Sequence, residues 1–101
     1  SRVKVRYRVS AGGSLGVGIV ARDDHYRFQG VYQSYFPADT AEPDADGWRV
    51  IEVPIAEMTG IQQHAGRAIP AGARWRASVL FFATKIDDLD LEIAAAEFLT
   101  E

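Results

Sequence analysis

The residues best suited to bind a ligand lie in the stretch HYRFQGVYQSYF, residues 25–36. In an extended chain, successive side chains point to opposite faces of the strand. One phase of this stretch is polar and aromatic: His25, Arg27, Gln29, Gln33 and Tyr35. Aromatic rings pack against the apolar C–H faces of sugars, while amide and guanidinium groups hydrogen-bond to hydroxyls. This phase predicts a ligand surface, with an ordinary solvent-facing strand as the alternative.

The other phase of the same stretch is dominated by large apolar rings. Tyr26, Phe28, Tyr32 and Phe36 share this phase, with Gly30 and a serine between them. Aromatic residues on one face of a strand are typical of a buried face. We therefore expect these four rings to face the core, on one long strand or on two shorter strands bent at Gly30.

Three further residues are candidates for the ligand surface: Trp48, Arg74 and Arg76. Strict alternation from Ile51 places Trp48 outward, whereas a bulge after the preceding turn would return its ring to the core. The high average burial of tryptophan favours the core or its rim. Arg74 and Arg76 flank Trp75, which we expect in the core, and they would add hydrogen-bond donors to the opposite face.

An acidic loop resembles the start of a calcium-binding loop without completing it. Glu42, Asp44, Asp46 and Gly47 have the spacing of its first ligands and glycine, but the position of the bidentate glutamate is Val53. A solvated Pro-Asp-Gly loop is therefore the favoured interpretation. We expect no cofactor, and the motif does not support a structural calcium.

Catalytic signatures are weak. His25 follows Asp23 and Asp24, an arrangement that fits an acid–base pair but is more typical of a turn. His25 and His64 lack metal-ligand spacing, and Glu52 fits an exposed strand charge paired with a basic neighbour. The chain has no cysteine, which excludes disulfides and thiolate catalysis. A small enzyme using His25 and its acidic neighbours is thus only a third hypothesis.

Length and charge limit the remaining possibilities. The 101 residues fit a single domain, residues 1–101, which we interpret as excised from a larger protein. A net charge of −3 gives no case for nucleic acid or an anionic membrane as a partner. No apolar run approaches the roughly 20 residues that a membrane-spanning helix needs.

Alternation of apolar and polar residues predicts strands throughout the chain. Extended segments are expected at residues 2–9, 15–21, 25–36, 48–55, 73–84 and 89–100. Residues 56–73 form a long crossing loop with at most one helical turn. In the 73–84 segment, Trp75, Val79 and Phe81 share the core phase, and Leu80 on the other side suggests a central strand. About seven to eight strands with little or no helix predict an antiparallel β-sandwich.

Charge predicts which strands are neighbours. The outer face of the first strand is basic, and that of the last strand is acidic, as shown by Lys4, Arg6 and Arg8 against Asp88, Asp90 and Glu92. Opposite charges across a strand pair contribute roughly 0.2–1 kcal/mol each. We therefore expect the two terminal strands to lie side by side, the alternative being two unrelated solvated faces.

Three segments resemble those of a known class of domain. They are DGWRVIEVPIAEM, LDLEIAAAEF and VKVRYRVSAGGSLGVGIV. Their rhythm is similar to that of jelly-roll domains of the carbohydrate-binding-module and galactose-binding-like type. The resemblance implies a jelly-roll fold and an accessory module of a larger bacterial protein, extracellular or at the cell surface. It transfers no individual ligand residue, because those residues differ between groups of the family.

Two hypotheses about function follow. The first is a non-catalytic ancillary module that binds an oligosaccharide or polysaccharide through the polar and aromatic phase of residues 25–36. The alternative is a structural or protein-interaction β-sandwich whose corresponding face is covered by a neighbouring domain or a second copy.

Overall fold

Segments in which apolar and polar residues alternate form strands over most of the described chain. The computed structural model describes residues 1–9, 13–61, 65, 67, 69, 76–84 and 91–100, and only the backbone of Arg76, Ser78 and Thr84. The strands are β1 (Arg2–Val9), β2 (Ser14–Arg22), β3 (Phe28–Pro37), β4 (Arg49–Pro54), β5 (Thr59–Gly60), β6 (Arg76–Thr84) and β7 (Leu91–Leu99). The described residues contain no α-helix, and their one helical turn is a 3-10 turn at Ile55–Glu57.

Two antiparallel sheets form a β-sandwich, which confirms the predicted fold class. One sheet has three strands in the order β4-β1-β7, and the other has four strands in the order β5-β3-β2-β6. All pairings are antiparallel. The strands β1 and β2 are therefore central strands, one in each sheet.

The core lies between the inner faces of β1 and β2. Val3, Val5 and Tyr7 of β1 are fully buried, and so are Leu15 and Val17 of β2. These residues occupy every second position, as the sequence predicts. The remaining buried side chains complete the same cluster: Ile19, Ala21, Tyr32, Ala38, Val53 and Met58.

The hydroxyl of Tyr7 joins the two sheets through a buried hydrogen bond. It donates to the carbonyl oxygen of Ala38, which follows β3, over 2.6 Å. The amide of Ala38 in turn donates to the carbonyl oxygen of Gly13 over 2.6 Å. Burial raises the pKa of Tyr7; the charge of Arg49 lowers it by a smaller amount, and the charge of Asp39 raises it. The phenol therefore stays protonated and remains a donor at neutral pH.

The terminal strands lie side by side, as their opposite charges predict. Strand β1 pairs with β7, and Arg8 lies directly opposite Glu92, with 2.8 Å between Nη2 and Oε2. A bulge at Ala94 then shifts the register, so that Lys4 lies opposite Glu97. Without this extra residue, Glu97 would fall in the same phase as Ile93. Asp88 and Asp90 lie outside the described residues.

Strand β6 differs from the prediction of a central strand buried on both faces. It pairs with β2 and lies at the edge of the described four-stranded sheet. The register of β6 against β2 shifts beside Ser78. Beyond this shift, Leu80 faces the core. Val79 and Phe81 lie on the outer face, where they pair with Val20 and Gly18. The prediction that Val79 and Phe81 face the core is therefore wrong, and Val79 is 51% exposed. Trp75 lies outside the described residues.

Strand β4 follows its predicted pattern. Val53 is buried, and Ile51 and Ile55 pack against the core. Pro54 ends the strand, and β4 is an edge strand of the described three-stranded sheet. Beyond it, the region predicted as a loop contains the two-residue strand β5. The helical turn expected near Ile61 falls on residues 62–64, which are outside the described part, as is His64.

We expect Tyr7→Phe to destabilise the protein by about 1–3 kcal/mol, because it leaves the buried carbonyl of Ala38 without its donor. The measurement is urea unfolding, with an unchanged denaturant slope. Tyr32→Phe is the matched comparison, since its hydroxyl donates to the carbonyl of Gln29 at a part-buried position that water reaches more easily. An equal or smaller loss for Tyr7→Phe would contradict the linking role of this hydroxyl.

Candidate functional site

Gln33 and Tyr35 lie together on the outer face of the four-stranded sheet. In the pairing of β3 with β2, Gln33 is opposite Gly18 and Tyr35 is opposite Gly16. Both glycines alternate with buried residues of β2, so their neighbours across the sheet point away from the core. Tyr35 is 37% exposed. Gln33 and Tyr35 therefore lie on the outer face, as the alternation in residues 25–36 predicts.

Aromatic rings cover the two glycines from both sides of β2. A Cβ atom built on Gly16 would lie 2.8 Å from Cε1 of Tyr35, and one built on Gly18 would overlap Cζ of Phe81. No real Cβ atom tolerates such distances, so both positions require glycine while the rings stay in place. The glycines let the rings of Tyr35 and Phe81 lie directly against the backbone of the central strand.

The surrounding side chains make this face apolar and uncharged. We call it the aromatic face, and its described residues are Gly16, Gly18, Val20, Val31, Gln33, Tyr35, Thr59, Val79, Phe81 and Ala83. Within this set, the hydrogen-bonding side chains are those of Gln33, Tyr35 and Thr59. Phe81 was missed by the sequence analysis, because the register shift beside Ser78 reverses the phase of the strand before it.

A third bulge changes the start of β3. Ala21 pairs with Gly30, and Arg22 pairs with Phe28, so that Gln29 is an extra residue in β3. The bulge moves Phe28 from the core phase to the outer face, where it is 49% exposed. Gly30 accommodates the bulge with a φ of 122°. The prediction that Phe28 faces the core is wrong for this reason, whereas Tyr32 is buried as predicted.

His25 and Arg27 belong to a turn and not to the strand. The turn spans residues 23–27, and Oδ1 of Asp23 accepts the backbone N–H groups of His25 and Arg27 over 2.8 and 2.9 Å. Its Oδ2 accepts from Nε of Arg27 over 2.9 Å and from Nε2 of Gln29 over 3.2 Å. Asp23 therefore acts as a turn residue, and its contact with His25 is through the backbone. The carboxylate of Asp23 is therefore committed to the turn and is not paired with the imidazole of His25.

Tyr26 occupies the left-handed position of this turn. Its φ is 61°, and its side chain is 63% exposed, so the prediction of a core-facing ring is wrong. The turn at residues 44–48 has the same design, with Gly47 at a φ of 86°. There Oδ1 of Asp44 accepts the amides of Asp46 and Trp48, each over 2.9 Å.

The acidic loop is explained by that second turn. Oδ2 of Asp44 accepts from Nη2 of Arg6 over 3.3 Å, and hydrogen bonds from the backbone amide of Trp48 are the largest cause of its lowered pKa. Its oxygens are thus engaged within the protein. Among the described residues, no group of three histidine, cysteine, aspartate or glutamate side chains is arranged to hold a metal ion.

Trp48 lies on the other outer surface of the sandwich. The guanidinium carbons of Arg6 and Arg8 lie 5.2 and 4.5 Å from the centroid of its ring. These arginines are on the outer face of β1, so Trp48 follows the strict alternation and is half-buried beneath them. Trp48 and Tyr35 therefore point in opposite directions and cannot share one ligand. Arg74 lies outside the described residues, and Arg76 contributes only its backbone to the description.

Comparison with protein-family models, with curated proteins and with solved structures finds no match for this chain. Within the described residues, no helix has the length and apolar character needed to cross a bilayer.

We expect Gly18→Ala to destabilise the protein by about 1–3 kcal/mol, because the new methyl group would overlap the ring of Phe81. In a Phe81→Ala background, the same change should be neutral or stabilising, since alanine is less costly than glycine in a strand. Urea unfolding of the four proteins gives the coupling between the two positions. Additive effects would show that the ring does not lie on Gly18.

The two turn aspartates should make stability depend on pH. Hydrogen bonds from the backbone amide of Arg27 are the largest cause of the lowered pKa of Asp23. The stabilisation is present above the unfolded-state pKa of about 3.9 and is lost as the pH falls through the lower folded-state pKa. Asp23→Asn should reduce this acid sensitivity in thermal unfolding at a series of pH values. Asp44→Asn should reduce it in the same way, because Oδ1 of Asp44 also accepts two backbone amides, and an acid sensitivity that is unchanged in both variants would contradict the assignment.

Proposed function

We propose that this chain is a non-catalytic ancillary module that binds carbohydrate through the aromatic face. One observation carries the proposal: the ring of Tyr35 lies against the backbone of Gly16, 37% exposed and beside Gln33. A flat ring offers a packing surface for the C–H face of a sugar, and the neighbouring amide offers both a donor and an acceptor for hydroxyl groups.

The rest of the aromatic face supports a neutral and extended ligand. Phe81 adds a second ring over Gly18, and Thr59 adds a hydroxyl directly beside Gln33. The face lies on regular strands, which hold such groups more precisely than loops do. A polymer lying across it would contact rings and hydrogen-bonding groups without burying a charge of the face.

The same proposal includes the type of β-sandwich and the kind of protein to which the module belongs. The rhythm of the sequence supports a jelly-roll arrangement of the galactose-binding-like type, and an ancillary role in a larger bacterial protein that is extracellular or at the cell surface. A glycan and the neighbouring domains of that protein would be its partners. No nucleic acid or membrane role is proposed, in keeping with the net charge of −3.

A second candidate function is a protein-interaction domain that uses the same face. Val79 favours it, because this valine is 51% exposed and contributes no hydrogen bond to a sugar. Exposed apolar side chains on a flat uncharged face are typical of surfaces that pack against another protein. A neighbouring domain or a second copy of the chain would then cover the aromatic face.

The test is calorimetric titration of the protein with cello-, xylo-, manno- and galacto-oligosaccharides. We expect binding of at least one series, with Tyr35→Ala weakening it about tenfold through the loss of ring packing. Gln33→Ala should weaken it severalfold through the loss of a neutral hydrogen bond. Trp48→Ala is the control, because its ring lies on the opposite surface and its removal should leave binding unchanged.

Two outcomes would contradict the proposal. One is the absence of binding to every oligosaccharide of this panel. The other is binding that is lost in Trp48→Ala and unaffected in Tyr35→Ala. Concentration-dependent sedimentation that disappears in Val79→Lys, together with a silent glycan panel, would establish the protein-interaction function instead.

A further inference from the structure

The edge strand β7 exposes apolar side chains that its pairing places on the inner face of the sandwich. In the antiparallel pairing with β1, Phe98 lies opposite Val3, and Ile93 lies opposite Tyr7. Val3 and Tyr7 are fully buried, whereas Phe98 is 46% exposed and Ile93 is 37% exposed. Residues directly opposite each other in such a pair share one face of the sheet. The inner face of the three-stranded sheet is therefore partly uncovered at β7.

The other edge of the same sheet is covered. Strand β4 also pairs with β1, and it places Val53 opposite Val3. Val53 is only 6% exposed, and Pro54, which ends the strand, has no N–H group to offer to a neighbouring strand. Exposure of inward-facing apolar residues is thus a property of β7 and not of both edges. An edge that combines unpaired backbone groups with uncovered apolar side chains is a place where a further strand can bind.

The outer face of β7 is acidic. Glu92 lies opposite Arg8, and Glu97 lies opposite Lys4. The carboxylate of Glu92 is 2.8 Å from the guanidinium of Arg8. Glu97 is exposed, and none of the described residues forms an ion pair with it. The part of β7 that follows the bulge, residues 95–99, therefore joins exposed apolar side chains on one face to an unpaired carboxylate on the other.

A second copy of β7 does not fit this edge. In the antiparallel register that pairs the whole strand with its copy, Ile93 lies opposite Ala96 of the copy, so inward-facing apolar residues stay together. The same register places Glu92 opposite Glu97 of the copy. In the register that pairs residues 95–99 with themselves, Glu97 lies opposite Glu97 of the copy. Like charges directly opposite each other destabilise a strand pair. The edge therefore favours a strand of different sequence.

Strand β1 shows which sequence pattern matches β7. Its apolar residues lie opposite apolar positions of β7, while Lys4 and Arg8 lie opposite the two glutamates. A strand bound on the other side of β7 meets the same two rows of side chains, because both sides of a strand share its two faces. The matching pattern is therefore an alternation of apolar residues with basic residues.

We propose that β7 is a docking edge for an extended protein segment in which apolar residues alternate with lysine or arginine. The segment adds a strand beside residues 95–99, and its backbone amides and carbonyls pair with those of β7. Its apolar side chains cover Phe98 and Ala96, while a basic side chain lies beside Glu97. The inference is independent of carbohydrate binding, because β7 belongs to the three-stranded sheet and the aromatic face to the four-stranded sheet.

The experiment measures the binding of capped, fluorescein-labelled peptides to the whole protein by fluorescence polarisation. The first peptide is as long as β7 and alternates valine with lysine. The second alternates valine with glutamate, and the third has the composition of the first in an order without alternation. The lysine peptide should bind severalfold more tightly than either of the others. Its advantage over the glutamate peptide should shrink as salt rises.

Methylated peptides test whether the backbone is paired. In an added strand, only alternate residues point their N–H groups at the neighbouring strand. N-methylation of one alternate set of residues should therefore abolish binding of the lysine peptide, whereas N-methylation of the other set should leave most of it. Equal effects of the two sets would overturn the inference, because they would show attraction of charge without strand addition.

Variants of the protein locate the edge. Glu97→Gln should weaken binding of the lysine peptide severalfold, and Glu97→Lys should reverse the preference in favour of the glutamate peptide. Phe98→Ala should weaken binding of the lysine peptide through the loss of apolar contact. Glu52→Gln is the matched control, because Glu52 lies opposite Lys4 on β4 as Glu97 does on β7. It should leave binding unchanged, and urea unfolding shows whether each variant is folded.

Three further results would overturn the inference. The first is a lysine peptide that binds no more tightly than its reordered form. The second is an equal loss of affinity in Glu52→Gln and in Glu97→Gln. The third is self-association of the wild-type protein that excludes the peptide and disappears in Phe98→Lys, since a second copy would then occupy the edge. Glycan binding through Tyr35 is measured separately, so each of these results leaves the proposed function standing.

Discussion

The packing of β1 against β2 is the constraint on which the rest of the molecule depends. Val3, Val5 and Tyr7 face Leu15 and Val17 across the core, and all five are fully buried. Because side chains alternate along a strand, this packing fixes the outer face of each central strand as well. The outer face of β1 carries arginines that are paired with acids, while the outer face of β2 carries glycines covered by rings. The sandwich therefore has two surfaces of different chemistry, one of charged pairs and one of uncharged aromatic groups.

Periodicity in the sequence predicts the architecture well, because burial of one strand face leaves a clear signature. It predicts the buried positions of β1 and β2, while the opposite charges of the outer faces predict the adjacency of the terminal strands. It fails where a strand gains one extra residue, since each bulge reverses the phase beyond it. The bulge at Gln29 brings Phe28 to the surface, and the one beside Ser78 does the same for Val79 and Phe81. Strict alternation of apolar and polar residues does not predict where such an extra residue lies.

The candidate site is predictable only in part, for the same reason. Gln33 and Tyr35 are found on one surface because the strand between them is regular. His25 and Arg27 lie outside that strand because the carboxylate of Asp23 accepts their backbone amides and forms a turn. Alternation of apolar and polar residues does not predict such a side-chain hydrogen bond. The side chain of Trp48 points outward, as alternation predicts, and not into the core, as the average burial of tryptophan suggests. Arg6 and Arg8 cover its ring on the outer surface. The alternate glycines of β2, Gly16 and Gly18, were the available signal for the rings above them.

The bulge at Ala94 has a consequence for how this molecule behaves among its own copies. Among the described strands, β7 has β1 on one side and is an edge of its sheet over nine residues. Edges of that length are templates on which other chains add strands and grow into fibrils. An extra residue bends such an edge and interrupts its row of evenly spaced amides and carbonyls. The irregularity that brings Glu97 opposite Lys4 thus also guards this nine-residue edge against uncontrolled assembly.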